Sequence, residues 1–288
     1  MEKPVASYLE RALNFVKPKI VSVGGGSINH AFRIESNNKK YFCKLNNVTD
    51  YPELFQREAE GLQFLSETNT IRTTDVLHCA EVAGQQLLVL EWIEQGARTT
   101  TFWRNFGEQL AALHQHSSAD GFHGFGTDNY MGALWTNNTR HSSWTKFFIE
   151  CRLRPQVGLA TSKNLLPAKD AKQFEQLEPK LNSIFNDEPA AALHGDLWSG
   201  NFLCSENSEP VLIDPAVYYG HRSIDLGMTT LFGGFDKAFY DGYHHHYPLP
   251  PNHREQWDVC NLYPLLIHLN LFGTGYLSSI RSILNRYA

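Results

Sequence analysis

The chain has 288 residues and a formal net charge of −5, with 42% hydrophobic and 19% charged residues, the balance of a globular protein large enough for two lobes. That composition excludes a disordered chain, and the lack of any Lys/Arg run excludes the clustered cations that nucleic-acid backbones require. No segment approaches the roughly 18 consecutive apolar residues of a membrane-spanning helix. The opening MEKPVASYLERALNF lacks the basic-then-apolar signature of a secretory leader. The five cysteines are scattered without a CxxC pair. Together these features predict reduced thiols in a cytoplasmic protein with neither membrane nor nucleic acid as partner.

Taken in chain order, Val5, Leu9, Leu13 and Val16 recur at helical spacing, and the predicted helix ends before Pro18. IVSVGGGSINHAFRIES reads as strand, glycine-rich turn and strand. HAFRIESNNKKYFCKLN reads as a hairpin about Asn37-Asn38. YPELFQREAEGLQFLSET is an amphipathic helix with Leu54, Phe55, Ala59, Leu62 and Leu65 on its apolar side. CAEVAGQQLLVLEWI adds two strands about Ala83-Gly84. Past Glu94-Gln95-Gly96 the character changes. TTFWRNFGEQLAALHQHS is helical, with Thr99 to Thr101 available as caps. A Gly/Asn/Trp-rich loop covers 121–143, SWTKFFIECRLRPQVGLA and AKDAKQFEQLEPKLNSIF are helices, and the chain beyond Ile224 is mostly helical. VLIDPAV is a β-branched insertion in this half. The predicted class is therefore α+β and bilobal: residues 1–93 form a small antiparallel sheet with one helix, and residues 94–288 a larger, mainly helical lobe.

Several polar residues stand where such a core would exclude them. In AALHGDLWSGNFL, an Asp and an Asn sit among apolar neighbours, although each unpartnered buried polar group costs about 1–3 kcal/mol. Lys44, in YFCKLN, lies on a strand in an apolar setting and needs a carboxylate, which Glu58 on the following helix can supply. A strand lysine touching phosphates and steadied by a helix glutamate is the ion pair of protein-kinase-type sites. Asp196 and Asn201 have the spacing of a loop in which Asp takes a hydroxyl proton and Asn holds Mg²⁺. Asp214, thirteen positions beyond Asn201, stands where a second metal ligand belongs. The turn GGGSIN (Gly24, Gly25, Gly26, Ser27 and onward) lets backbone N–H groups approach phosphate oxygens. Gly195 stands where the protein-kinase loop has Arg, so no control through activation-loop phosphorylation is expected.

HGDLWSGN resembles the aminoglycoside phosphotransferase and choline kinase branch of kinase-like enzymes, and Trp198-Ser199 narrows the resemblance to the fructosamine kinase family. GGGSIN, LFQREAEGL, GFGTDNYMG, the W and FF of SWTKFFIECRL, and YYGHRSIDLGMT support it from Gly24 to about Thr230. The resemblance implies a protein-kinase-like fold and ATP- and Mg²⁺-dependent phosphorylation of the 3-hydroxyl of a ketosamine, free or protein-linked. The product decays and frees the amine, a protein-repair role. By the same resemblance, Asp196 is the catalytic base, Asn201 and Asp214 are metal ligands, and Lys44 and Glu58 position phosphate. Glu91, Trp92 and Ile93 lie at the adenine hinge, and Asp225 anchors the backbone at His194 and Gly195. Trp198, His221 and Arg222 are candidates for the acceptor side, and Trp135, Trp144, Tyr218 and Tyr219 for its aromatic walls. Family members commonly carry Gln-x-Asn where this chain has Trp135-Thr136-Asn137, a departure that bears on acceptor preference. Some carry a cysteine where this chain has Ser27, so no redox switch is expected in that turn. The alternatives are an aminoglycoside- or choline-type phosphotransferase and an ATP-binding pseudokinase. No dense acidic cluster follows Asn201 to suit a polycation, and every catalytic position is filled.

Overall fold

The computed structural model describes residues 1–24 and 28–288, so Gly25, Gly26 and Ser27 of the predicted phosphate turn lie outside the described residues. After helix α1 (Lys3–Ala12) come strands β1 (Lys19–Val23), β2 (His30–Ser36) and β3 (Lys39–Asn47) and helix α2 (Leu54–Glu67). The short β4 (Arg72–Thr73), β5 (Val76–Val82) and β6 (Gln85–Glu91) follow. Five of these strands form one antiparallel sheet in the order β1-β2-β3-β6-β5. Its hairpins turn at Asn37-Asn38 and Ala83-Gly84, with all four residues at positive φ, the conformation that fits a two-residue turn to the strand twist.

Period-two alternation assigns the faces of β3. Cys43 and Leu45 pack with Val5, Leu9, Ile34 and Val89 on the side covered by α1. Phe42 and Lys44 therefore point to the opposite face, where α2 lies against Leu88 and Leu90 through Leu54, Phe55 and Leu62. The start of α2 has no side-chain cap of its own. Instead the Phe55 N–H donates to the buried Gln86 Oε1 of β6 at 3.1 Å, tying the helix to the sheet.

Helix α3 (Thr100–Gln115) opens the second half, with the Thr99 hydroxyl accepting from the Phe102 N–H at 3.1 Å. The stretch read as a loop holds a hairpin of β7 (Asn129–Met131) and β8 (Leu134–Thr136). The next predicted helix is divided into α4 (Trp144–Phe147), a π-helical stretch (Phe148–Leu153) and α5 (Arg154–Ser162). Pro155 has no N–H to give, and the Cys151 carbonyl is taken by the Arg152 guanidinium at 3.1 Å. Helices α6 (Ala168–Leu177) and α7 (Leu181–Ile184) were expected as one and are separated by a 3₁₀ turn at Pro179. Then come β9 (Ala191–Leu193), β10 (Phe202–Cys204), β11 (Pro210–Leu212), β12 (Tyr218–Gly220), α8 (Ser223–Leu231), α9 (Lys237–His246), α10 (His253–Cys260), α11 (Leu262–Phe272) and α12 (Leu277–Tyr287).

Strand β4, which the pattern did not reveal, pairs in parallel with β11 and extends β10-β11-β4 across the two halves. This pairing ties β11, and with it the chain leading to Asp214, to the segment that follows α2. Helix α3 packs most closely on α9, where glycines remove the side chains that would hold the backbones apart. A Cβ on Gly107 would collide with the Phe239 carbonyl, and one on Gly242 with the Arg104 carbonyl. Phe102, Phe106, Phe202 and Phe239 fill the adjoining core.

Gly107→Ala tests this crossing. Alanine is favoured over glycine inside a helix by about 1 kcal/mol, yet the collision should make the variant less stable by about 1–3 kcal/mol. Urea denaturation measures it, and a gain in stability would contradict the packing described.

Candidate active site

A cleft of about 590 Å³ lies between the two halves, lined by Lys44, Arg57 and Glu58 from the sheet side and by Asp196, Asn201 and Asp214 from the other. The Lys44 Nζ donates to Glu58 Oε1 at 2.7 Å and to Asp214 Oδ1 at 2.6 Å. Burial disfavours the ammonium, but the charges of Asp214 and Glu58 outweigh it and hold the Lys44 pKa above its ordinary value. Burial also raises the Glu58 carboxyl above its usual range, against the pull of Lys44. Three groups from β3, α2 and the end of β11, far apart in sequence, thus meet at one point.

The loop between β9 and β10 is shaped by its own backbone demands. Gly195 adopts φ +82°, and a Cβ there would collide with the Ala216 carbonyl and crowd Tyr218 Cε1 at 3.3 Å. No larger residue fits, which gives the physical reason for Gly in place of Arg. Asp225, buried in α8, accepts from the N–H groups of His194 at 2.8 Å and Gly195 at 2.9 Å. It also receives the His114 ring at 3.2 Å. His194 Nε2 donates to the Ile213 carbonyl at 2.9 Å, which leaves Nδ1 to accept from the Asp196 N–H at 3.2 Å. Burial lowers the His194 pKa and favours this neutral ring.

Asp196 reaches the cleft floor. Burial raises its pKa well above the ordinary carboxylate value, opposed by a hydrogen bond from Asn201 and reinforced by Asp214 and Asp225. The Asn201 amide donates through Nδ2 to the Asp196 carbonyl oxygen at 2.8 Å and to Asp196 Oδ2 at 2.9 Å, so its own Oδ1 is turned away from those contacts. Asp214 sits at φ +54°, unusual for a residue before proline, two residues beyond the end of β11. Among the described residues no cluster of three His, Cys, Asp or Glu forms a ready-made metal cage. Asn201 Oδ1 and the Asp214 carboxylate are nevertheless hard oxygen donors, the kind Mg²⁺ takes when phosphates and water complete its shell.

The other expected residues divide. Trp198 lines the cleft, its ring folded back over Gly200, where any Cβ would strike it. Gly24 is exposed, and Ile28 and Asn29 line the cleft. Glu91, Trp92 and Ile93 stand at the end of β6 and do not line this cavity. The Glu91 N–H is donated to the Asp75 carbonyl at 3.0 Å, and its carboxylate accepts from Arg72 at 2.8 Å. Trp92 packs against Phe42, with the Arg33 guanidinium over its ring.

His221 and Arg222 require correction. Both are buried away from the cleft, because the chain leaving β12 turns them toward Glu188 rather than the catalytic loop. The Arg222 fork donates to both Glu188 oxygens at 2.8 Å and to the carbonyls of Tyr247 and Pro248. His221 packs against Trp144 and Phe185. Trp144 and Tyr218 belong to the core, Tyr219 packs on Phe64, and exposed Trp135 packs on Tyr130 outside the cavity lining. Sequence reading missed Phe232, His268, Phe272 and Tyr276, which line the cleft beyond Trp198. The i, i+4 spacing of His268 and Phe272 in α11 was the available signal, but it is also the pattern of a core face.

A sequence profile described as fructosamine kinase matches residues 3–288. A protein of Synechocystis sp. described as a probable ketoamine kinase is 41% identical over 267 residues, spanning 92% of this chain and 88% of its own length. A chloroplastic protein-ribulosamine 3-kinase of Arabidopsis thaliana is 36% identical over 273 residues, spanning 93% of this chain and 82% of its own. Among solved structures, a Thermobifida fusca protein assigned as a fructosamine-3-kinase matches with a TM-score of 0.90 at 29% identity. That match covers 99% of this chain and 98% of the other.

The buried histidines set a pH limit on stability. Burial lowers His221 and His123 from 6.5 to about 4, so between those values the unfolded chain binds protons that the folded chain refuses. Stability should fall as pH drops through this window, by about 1.4 kcal/mol per unit for each histidine. His221→Gln should flatten the decline seen by denaturation at pH 6.5, 5.5 and 4.5, and parallel curves would contradict it.

Proposed function

The chain belongs to the fructosamine kinase family, and from that premise we propose that it transfers the γ-phosphoryl group of ATP to the 3-hydroxyl of a ketosamine. Its fold is the two-lobed α+β arrangement of protein-kinase-like phosphotransferases. The observation that carries the proposal is the convergence of Lys44, Glu58, Asp196, Asn201 and Asp214 on one cleft. Transfer to a hydroxyl rests mainly on positioning and on neutralising charge. In this reading Lys44, steadied by Glu58, would contact phosphate oxygens, and Asp214 would release Lys44 to serve as a metal ligand. Asn201 Oδ1 and Asp214 would hold Mg²⁺, which when bound neutralises phosphate charge. Asp196 takes the acceptor's hydroxyl proton as the new P–O bond forms and the bond to ADP breaks. Its raised pKa suits a group that must gain a proton. By the family resemblance, the glycine stretch that begins at Gly24 is assigned to the phosphates and the backbone of Glu91 and Ile93 to adenine, although these two residues lie outside the lining of the cleft.

The acceptor is a ketose carried on an amine, free or protein-linked, and the 3-phosphate it becomes releases that amine, a deglycation step. A polycationic aminoglycoside fits less well. The carboxylates lining the cleft are Glu58, Asp196 and Asp214, all gathered at the phosphate end. No described helix is long and apolar enough to cross a membrane, and all five cysteines are free thiols. A reducing cytoplasm suits those thiols.

Asp196→Asn should bind ATP within a few-fold of the parent chain while losing about 10²–10⁴-fold in turnover. ADP release with 1-deoxy-1-morpholinofructose, a ribulosamine, choline and an aminoglycoside, with ³¹P NMR of the product, measures both rate and acceptor. Turnover that survives the substitution would overturn the role of Asp196, and activity confined to choline or the aminoglycoside would overturn the ketosamine assignment.

A further inference from the structure

Beyond the phosphate end, the cleft wall is a continuous strip of rings. Trp198 meets Phe232 edge-on at 6.0 Å, and Phe232 meets His268 at 4.7 Å. His268 in turn meets Phe272 at 5.5 Å and Tyr276 at 5.0 Å. Gly273, at φ +89°, ends α11 and swings the 3₁₀ turn Thr274–Tyr276 back, so that Tyr276 closes on His268. Phe232 is 37% exposed and Phe272 55% exposed, a cluster of open apolar surface that a folded chain does not need for its core. His268 Nδ1 lies 2.7 Å from the Pro264 carbonyl, which can only accept, so the ring proton is on Nδ1 and Nε2 keeps its lone pair. Burial lowers the His268 pKa, in keeping with a neutral ring.

We propose that Phe232, His268, Phe272 and Tyr276 form the subsite for the amine half of the acceptor, with its ammonium against the ring faces and His268 Nε2, and its apolar substituent running outward along Phe272. The inference rests on the ketosamine reading above and adds to it the part of the acceptor that selects among ketosamines. An alkylammonium is attracted by ring faces and can donate to an imidazole lone pair. The cations lining the cleft are committed elsewhere, Lys44 to Glu58 and Asp214, and Arg57 to Glu53 and Glu60. A carboxylate on the substituent would therefore meet rings and no counter-charge. The subsite selects ketosamines of amines with apolar or aromatic substituents over those of amino acids that present a carboxylate there.

Steady-state kinetics with the fructose adducts of benzylamine and of glycine test this in the full chain. The parent chain should prefer the benzylamine adduct. Phe272→Ser, at a residue more than half exposed, should lower that preference about ten-fold, with the loss in the acceptor KM rather than in kcat. His268→Leu keeps the bulk and removes the lone pair, so it should raise the acceptor KM for both adducts while the KM for ATP holds. If the parent chain turns over both adducts and the two substitutions leave preference and KM within two-fold, the subsite is overturned while the ketosamine reading stands. If the parent chain turns over neither, that reading falls, and benzylammonium alone, titrated against tryptophan fluorescence, decides the subsite. Saturable quenching lost in Phe272→Ser supports it, and absence of quenching overturns it.

Discussion

Burying the ammonium of Lys44 between two carboxylates is the constraint on which the rest of this molecule is arranged. An isolated buried charge is prohibitively costly, and removing one partner of such a pair typically costs about 3–5 kcal/mol. Lys44 can stay charged only if α2 presents Glu58 and the end of β11 presents Asp214. The first requirement fixes α2 on the sheet, reinforced where Gln86 holds the helix start. The second fixes the helical half against the sheet, reinforced by the parallel pairing of β4 with β11. One ammonium thus sets the distance between two halves that share little other regular structure.

The loop opposite Lys44 is held by a different device, fixed backbone rather than paired charge. Asp225 takes two consecutive N–H groups, the neutral His194 ring bridges Ile213 and Asp196, and Gly195 occupies a conformation and a space that only glycine tolerates. Asp196 is consequently aimed without depending on a long, flexible partner. The pre-organisation is electrostatic as well as geometric, because three acidic groups are kept close together with a single lysine among them. That local excess of negative charge leaves a place for a divalent cation.

Apart from β4, the elements of the first ninety residues were legible because alternation and turn chemistry are local, and Asn37-Asn38 and Ala83-Gly84 sit where a pattern reader places them. The spacing of Asp196, Asn201 and Asp214 was legible for a related reason: a short loop and a short strand leave few ways to arrange three residues. What sequence could not give was direction across the fold. His221 and Arg222 neighbour a motif along the chain, yet the exit from β12 points them at Glu188. His268 and Phe272 look like an ordinary helix stripe in the sequence, and only the fold shows that they line the cleft, with Tyr276 brought back onto His268 beyond Gly273. Strand β4 was invisible because two residues carry no periodicity.

The most direct measurement is a crystal structure of the chain with a non-hydrolysable ATP analogue and Mg²⁺. The account predicts the ion bound by Asn201 Oδ1 and the Asp214 carboxylate, with Lys44 moved onto phosphate oxygens while keeping Glu58. A nucleotide bound elsewhere, or Asp214 still locked on Lys44 and clear of the metal, would contradict it.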